Sequence, residues 1–253
     1  MSSAPLDAVF AALDATWPAA AQFDCGGCTL RDGQGGGKRV SAATLAGPQS
    51  DVDLGRAAKA MRALGQTPLF QVRNDQRALD MRLEQAGYLR ADPSVIYAAP
   101  ARALATELPP RTVAIPAWEP LKIMEDIWSR GGIGPDRIEI MRRAPFPKTG
   151  LISRWQDSPA GTGFVARHQN IAMLHALEIL PEYRGKGLGR WAVRRAAFWA
   201  LANGAETLCV ICTEANDAAN GLYSSLGMDV IGSYHYRSLP EDPHDRHRHT
   251  NRT

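Results

Sequence analysis

The stretch Leu177–Trp191, LEILPEYRGKGLGRW, holds the residues best spaced for chemistry. An apolar run ends at Pro181, and Arg184-Gly185-Lys186-Gly187-Leu188-Gly189 then leads into a helical pattern. Successive backbone N–H groups at the positive end of a helix bind anions, and glycines let the backbone close around a phosphate without a Cβ in the way. Arg184 and Lys186 add full charges. Two common nucleotide motifs do not fit. A Walker loop needs Lys and then Ser or Thr after its last Gly, whereas Arg190 and Trp191 follow Gly189. A dinucleotide fingerprint needs GxGxxG, and Arg190 stands where its third Gly belongs.

The elements that must position this loop are legible in outline. Ile171–Leu180 reads as a strand paired in a hairpin with Phe164–Arg167, and Gly187–Asn203 as the helix after the loop. Thr207–Cys212 is a strand, Asp217–Leu226 a helix stopped by Gly227, and Val230–Tyr236 a strand. Upstream, helices are expected at 4–17, Asp51–Leu64, Asp75–Ala86 and Leu121–Ser129, and strands in TPLFQV and Ser94–Ala98. Two short strands are expected around the Gly33–Gly37 turn. Ala99–Pro120 carries Pro100, Pro109, Pro110, Pro116 and Pro120 and no helical period. It divides the chain at a linker taken as 99–116, between units 1–98 and 117–240, with a polar tail at 241–253. Period-2 alternation sorts Met173, His175 and Leu177 to one strand face and Leu174 and Glu178 to the other; a bulge near Leu177–Ile179 would change that sorting.

Composition narrows the class. At 45% hydrophobic and 22% charged, with a net charge of +3, the 253 residues describe a globular protein and give little support for nucleic-acid or membrane binding. The start, MSSAPLDAVFAALDATWP, lacks a basic region and reads as an amphipathic helix, and no run approaches the ~18 apolar residues of a membrane span. A cytoplasmic protein is expected. The cysteines pair as Cys25/Cys28 (CGGC) and Cys209/Cys212 (CVIC), too far apart in sequence for a compact zinc ribbon. Cys209 and Cys212 fall in a strand, where i and i+3 face opposite ways, so buried free thiols are expected and no metal site. The three histidines of the tail are read as solvated.

Beyond the loop spacing Arg-x-x-Gly-x-Gly, the run Asn216-x-x-Ala219-x-x-Leu222-Tyr223-x-x-Leu226-Gly227-Met228 follows at the right separation. Together these resemble the GCN5-related N-acetyltransferases (GNAT) over about 118–238, departing from the second signature by Met for Phe. The resemblance implies a mixed, mostly antiparallel sheet flanked by helices, and acetyl-CoA as co-substrate without a metal. It implies that Leu177 and Ile179, with the strand between them, lend backbone groups to the pantetheine arm. It likewise implies that Arg184, Gly185, Lys186, Gly187, Leu188 and Gly189 hold the pyrophosphate and that Asn216 and Asn220 lie beside the sulfur end. Tyr223 falls where the departing thiolate is protonated; a phenol is neutral at pH 7 and can donate, although a tyrosine there can also simply pack its ring.

The attacking amine needs a base. His175 is the first candidate, acting directly or through a water, because imidazole as a side-chain type suits proton transfer near neutrality, and Glu178 is the second; a hydrogen-bonded core histidine is the equal alternative for His175. The strand is similar to that of serotonin N-acetyltransferase, where two histidines form a relay, but Met173 stands where the first would be. The acceptor is a small-molecule amine or a peptide or protein amine, and the chain a monomer or homodimer. The other reading is a non-catalytic acyl-CoA-binding sensor.

The first half repeats the second at a spacing of 140: LFQVRNDQRALDMRLEQAGY (69–88) parallels CVICTEANDAANGLYSSLGM (209–228). Gln76, Asp80 and Leu83 stand opposite Asn216, Asn220 and Tyr223. The slot of the phosphate loop, TLAGPQSDVDL, lacks its glycine pattern and carries Asp51 and Asp53. The α/β chain is thus read as two GNAT-like units, the first degenerate and the second complete. Calorimetric titration should give one acetyl-CoA per chain; two would refute the degenerate assignment.

Overall fold

The computed structural model describes residues 4–239, so the tail lies outside the described residues. The elements in chain order are α1 (Leu6–Thr16), β1 (Ala21–Cys25), β2 (Cys28–Asp32), α2 (Lys38–Ser41), β3 (Thr44–Leu45), α3 (Leu54–Ala63), β4 (Leu69–Arg73), α4 (Arg77–Gln85) and β5 (Leu89–Pro100). There follow α5 (Ala101–Leu104), β6 (Ala114–Ala117), α6 (Lys122–Arg130), α7 (Pro135–Arg143), β7 (Lys148–Trp155), β8 (Ser158–His168) and β9 (Ile171–Ile179). The last are α8 (Leu188–Ala202), β10 (Thr207–Thr213), α9 (Asp217–Ser225) and β11 (Asp229–Ser238). No helix among the described residues is long and apolar enough to cross a membrane.

The chain forms two compact units, divided differently from the expected break at 98 and 117. One comprises the chain up to Pro18 and Val95–Gly232, the other Ala19–Ser94 and the chain from Ser233. Two features move the boundaries. Helix α1 buries Val9, Phe10, Ala12 and Leu13 and packs on β8 and β9, so it belongs with the C-terminal elements. Strands β5 and β11 each begin in one unit and end in the other. The segment expected as a linker is structured: Ala101 and Leu104 of α5 enter the core around α8, and β6 pairs with β7. Pro116 is tolerated there because β6 is an edge strand. Helix α7 and strand β7 have no counterpart among the sequence expectations.

In the first unit the strands run in the order β5-β10-β9-β8-β7-β6. Pairing is antiparallel from β6 to β9 and parallel between β9 and β10, a mixed and mostly antiparallel α/β sheet. Its core joins Leu151, Val165, Ala172 and Leu174 to Val193, Ala196, Ala197 and Ala200 of α8. The small residues of α8 let the helix lie close to the sheet.

The second unit contains the antiparallel sheet β1-β2-β3 and strands in the order β4-β11-β5. CGGC is the two-residue turn between β1 and β2: Cys25 pairs with Cys28, and Gly26 and Gly27 have φ of 60° and 73°. That conformation suits glycine, and a Cβ would come within 2.8 Å of the Asp53 carbonyl at Gly26 and 2.6 Å of the Asp51 carbonyl at Gly27. The pair therefore serves a tight turn; both thiols are free, and burial pushes that of Cys28 up to about 11. Phe70, Val72, Leu79 and Leu83 form the core.

On α4, Asp80 accepts from His235 Nε2 and Arg237 Nε, each at 2.7 Å, and Arg237 also donates to the Tyr88 carbonyl. Burial raises the Asp80 pKa, but the hydrogen bonds from Arg237 and His235 outweigh it and leave the carboxyl below its ordinary value. A lowered folded-state pKa contributes stability above the unfolded carboxyl value and loses it as pH falls through the folded one. Asp80→Asn should therefore cost about 1–3 kcal/mol at neutral pH. In denaturant melts its deficit against the wild type should shrink as pH drops below about 4.

Candidate active site

The site begins where the sheet opens. Strands β9 and β10 pair from Ile171/Thr207 to Leu174/Val210 and no further, although both continue for several residues. At the same level β9 carries an extra residue. Phe164 faces His175 and Thr162 faces Glu178, so Ala176 and Leu177 together oppose Gly163, and Ala176 has φ of 50°. This bulge re-sorts the side chains beyond it. Leu177 joins Leu174 in the core under α8, and Glu178 lies against Gly131 after α6. The simple alternation that put Leu177 with His175 is thereby corrected. The β10-facing edge of β9 is left outside the ladder from His175 onward, the kind of edge that an extended ligand can pair with.

The glycine loop lies at the end of the same strand. Gly185 and Gly187 have φ of 74° and 77°, and a Cβ on either would meet nothing within 4 Å. Backbone sign, and not crowding inside the protein, calls for glycine here. Gly187 is the N-cap of α8 and no side chain caps that helix, so its first N–H groups have no side-chain acceptor. Leu188 is buried, and at Gly189 a Cβ would lie 3.0 Å from Leu222 of α9. Arg184 Nε donates to the Ile179 carbonyl at 3.0 Å and Nη2 to Glu178 at 3.1 Å, fastening the loop to β9. Lys186 Nζ stands 4.7 Å over the Trp155 ring. The loop fits an anion such as a diphosphate through backbone donors, with Arg184 and Lys186 beside it.

Helix α9 brings the remaining sequence-derived residues. Asn216 caps it, accepting from the Ala219 N–H at 3.1 Å. Asn220 is committed inside the protein: Nδ2 donates to the carbonyls of Thr213, Glu214 and Asn216, and Oδ1 accepts from Tyr97 Oη at 2.9 Å and from the Cys212 thiol. It braces the β10–α9 connection. Tyr223 is 6% exposed, with its ring 5.5 Å from that of Tyr97. Burial, with Cys212 and Tyr97 beside it, raises its phenol pKa well above 10, so it keeps its proton at neutral pH. Cys209 is buried with a pKa raised to about 12 and Cys212 half-buried with one raised to about 11, so neither is a ready nucleophile.

The two base candidates share a strand face but not an environment. His175 is 4% exposed, between the rings of Trp17 (5.0 Å) and Phe164 (6.2 Å). Its Nε2 is 2.9 Å from Thr16 Oγ1, whose own proton goes to the Ala12 carbonyl at 2.6 Å. Thr16 must then accept, which places a proton on Nε2. Glu178 has its carboxylate between Arg184 and Gly131, with 18% of its side chain exposed.

Three residues that sequence reasoning did not single out shape this region. Trp128 Nε1 donates to the Ala176 carbonyl at 2.8 Å, Tyr97 holds Asn220, and Thr16 fixes the His175 tautomer. Tyr97 and Thr16 belong to segments assigned by sequence to the other half, so spacing offered no signal for them. Two cations further along α8 have other partners. Arg194 pairs with Glu107 and Arg195 donates to the Ala114 carbonyl, so both secure the proline-rich segment instead of facing the loop.

A strand parts from its parallel neighbour at a bulge and ends in a glycine loop at an uncapped helix. Residues 121–228 match the model of the Acetyltransferase (GNAT) family. Over 233 residues the chain is 28% identical to the uncharacterized N-acetyltransferase YobR of Bacillus subtilis (strain 168), covering 88% of this chain and 94% of that protein. In fold it is similar to the GCN5-related N-acetyltransferase from Kribbella flavida, with TM-score 0.70 and 18% identity over 95% of this chain and 98% of that one. It is also similar to a functionally unknown conserved protein from Staphylococcus epidermidis ATCC 12228, with TM-score 0.64 and 11% identity over 88% and 95%.

Gly187→Ala forces an L residue into the left-handed region at a cost of about 1–2 kcal/mol. It should weaken acetyl-CoA binding by about tenfold in calorimetry. Unchanged affinity would remove the loop from the site.

Proposed function

We propose that the chain transfers an acetyl group from acetyl-CoA to a primary amine by direct attack, without a covalent enzyme intermediate. The observation that carries this reading is the coincidence, on β9, of the open edge beyond Leu174 with the glycine loop at its end. In this reading the backbone of Leu177–Ile179 pairs with the pantetheine arm, in the position that β10 vacates. Residues 184–189 take the diphosphate through backbone donors and the Arg184 and Lys186 charges. Asn220 keeps the β10–α9 connection in place, so Tyr223 faces the sulfur end.

The chemistry requires two proton movements. The amine nitrogen attacks the thioester carbonyl and loses a proton to a base. The tetrahedral intermediate collapses, the carbon–sulfur bond breaks, and Tyr223 donates its phenolic proton to the leaving thiolate. A raised phenol pKa keeps that donor protonated across the neutral range. Glu178 is the better-placed base, because it reaches solvent from the face that the bulge gives it. His175 keeps the second place, since Thr16 and the flanking rings enclose it.

The tandem arrangement is part of the same proposal. Strand–helix–Gly–strand recurs as β4, α4, Gly87, β5 and as β10, α9, Gly227, β11, with φ of 84° and 73° at the two glycines. Leu83 stands at the Tyr223 position, so the first copy has no proton donor there. The acceptor class is an amine, small or peptide-borne.

Tyr223→Phe should lower kcat by about 10²-fold or more and leave acetyl-CoA affinity nearly unchanged. Glu178→Gln should do the same, and His175→Ala should have the smaller effect of the two base candidates. Thiol release measured against an amine library is the assay. Cofactor binding with no acceptor-dependent release from the wild type would instead support a non-catalytic acyl-CoA sensor, the reading that the enclosed His175 favours.

A further inference from the structure

The end of α6 contains two consecutive glycines, and the helix stop explains only one of them. Gly132 has φ of 77°; its N–H donates to the Ser129 carbonyl, and Ile133 N–H donates to the Trp128 carbonyl at 2.8 Å. This is the left-handed closure for which glycine is favoured. Gly131, one residue earlier, has φ of −84° and ψ of 6°, which any residue adopts. Its missing side chain has another consequence. A Cβ there would lie 2.7 Å from both Cγ and Oε2 of Glu178 and 2.8 Å from its Cδ. The carboxylate occupies the volume that glycine leaves.

Three residues earlier on the same helix, Trp128 is fully buried and its indole N–H reaches the carbonyl of Ala176 at 2.8 Å. Ala176 is the bulge residue with φ of 50°, a conformation that costs a non-glycine residue energy and persists only where neighbours hold it. The bulge in turn brings Glu178 to the face that α6 covers. One helix end thus fixes both the direction and the seat of this carboxylate.

We propose that Gly131 and Trp128 are positioning residues for Glu178, Gly131 by leaving the space its carboxylate fills and Trp128 by holding the bulge that turns it there. The inference rests on the transferase reading and assigns the geometry of its base to α6. Each residue acts through Glu178 and not on the reacting atoms.

A double-mutant cycle tests this. Gly131→Ala should lower kcat by about tenfold or more while the acetyl-CoA Kd stays within about twofold. In a Glu178→Ala background, Gly131→Ala should have no further effect on kcat or on Tm, because the colliding side chain is gone. Trp128→Phe, which keeps the ring and loses the N–H, should lower kcat several-fold with the same loss of additivity. Wild-type turnover by Gly131→Ala, or losses that multiply in the double variant, would overturn the proposal, as would a drop in Tm that persists without Glu178. Absence of acceptor-dependent thiol release from the wild type would sink the transferase reading itself, while the Tm cycle still reports on the Gly131–Glu178 contact.

Discussion

One residue too many in β9 is the constraint on which the rest of the site depends. Opposite Gly163 the strand inserts Ala176 and Leu177 where one residue would continue the ladder. The insertion shifts the register with β8, coincides with the departure of β10, and exchanges the faces of every later side chain. Its cost is about 1–2 kcal/mol for a non-glycine residue at positive φ. A part-buried hydrogen bond from Trp128, worth about 1 kcal/mol, and the packing of Leu174 and Leu177 over the bare Gly163 offset it. The strain sits where the sheet opens, and the neighbours that hold it come from both layers around the strand.

The same opening sets how charge is used. The loop that follows β9 presents the backbone N–H groups at the start of α8, a place where an anion is favoured. Arg184 is held by Ile179 and Glu178, and Arg190 donates to Ser225. Arg194 and Arg195 tie down the segment between α5 and β6. Five cations in twelve residues look in sequence like one basic surface; in space they have at least two jobs. The loop is defined by its conformation more than by its net charge.

Local signals explain which elements were legible. The glycine loop, helix α8 and the N-x-x-A-x-x-L-Y run are encoded within short windows, where caps, periods and turn glycines act on their own neighbours. The bulge was legible only as a possibility, since the residues that compel it, Trp128 and Gly163, are far from Ala176 in sequence. The unit boundaries were misread for a similar reason. Amphipathic α1 announces an apolar face, but nothing local says that the face is buried against β8 and β9. Prolines between 99 and 116 suppress a helical period, yet a four-residue α5 and an edge strand need no long period to form. The glycine loop stands out by its spacing, and Tyr223 is singled out only through the family resemblance. The enclosure of His175 by Thr16 and Trp17 required the fold.

The two strand–helix–strand segments carry different polar residues at positions 140 residues apart. Asp80 and Asn220 stand 140 residues apart at matching points of α4 and α9. Asp80 accepts from His235 and Arg237 on β11, and Asn220 from Tyr97 on β5. In each case a polar helix residue holds a strand that is not the next one in its own segment. The charge differs for a physical reason. A carboxylate can satisfy two donors, whereas an amide can both accept from Tyr97 and donate to the three carbonyls of the β10–α9 turn. Under the tandem reading, the amide half shapes a connection beside Tyr223 while the carboxylate half locks a strand in place. At the position matching Tyr223, Leu83 is a buried core side chain that has no proton to donate.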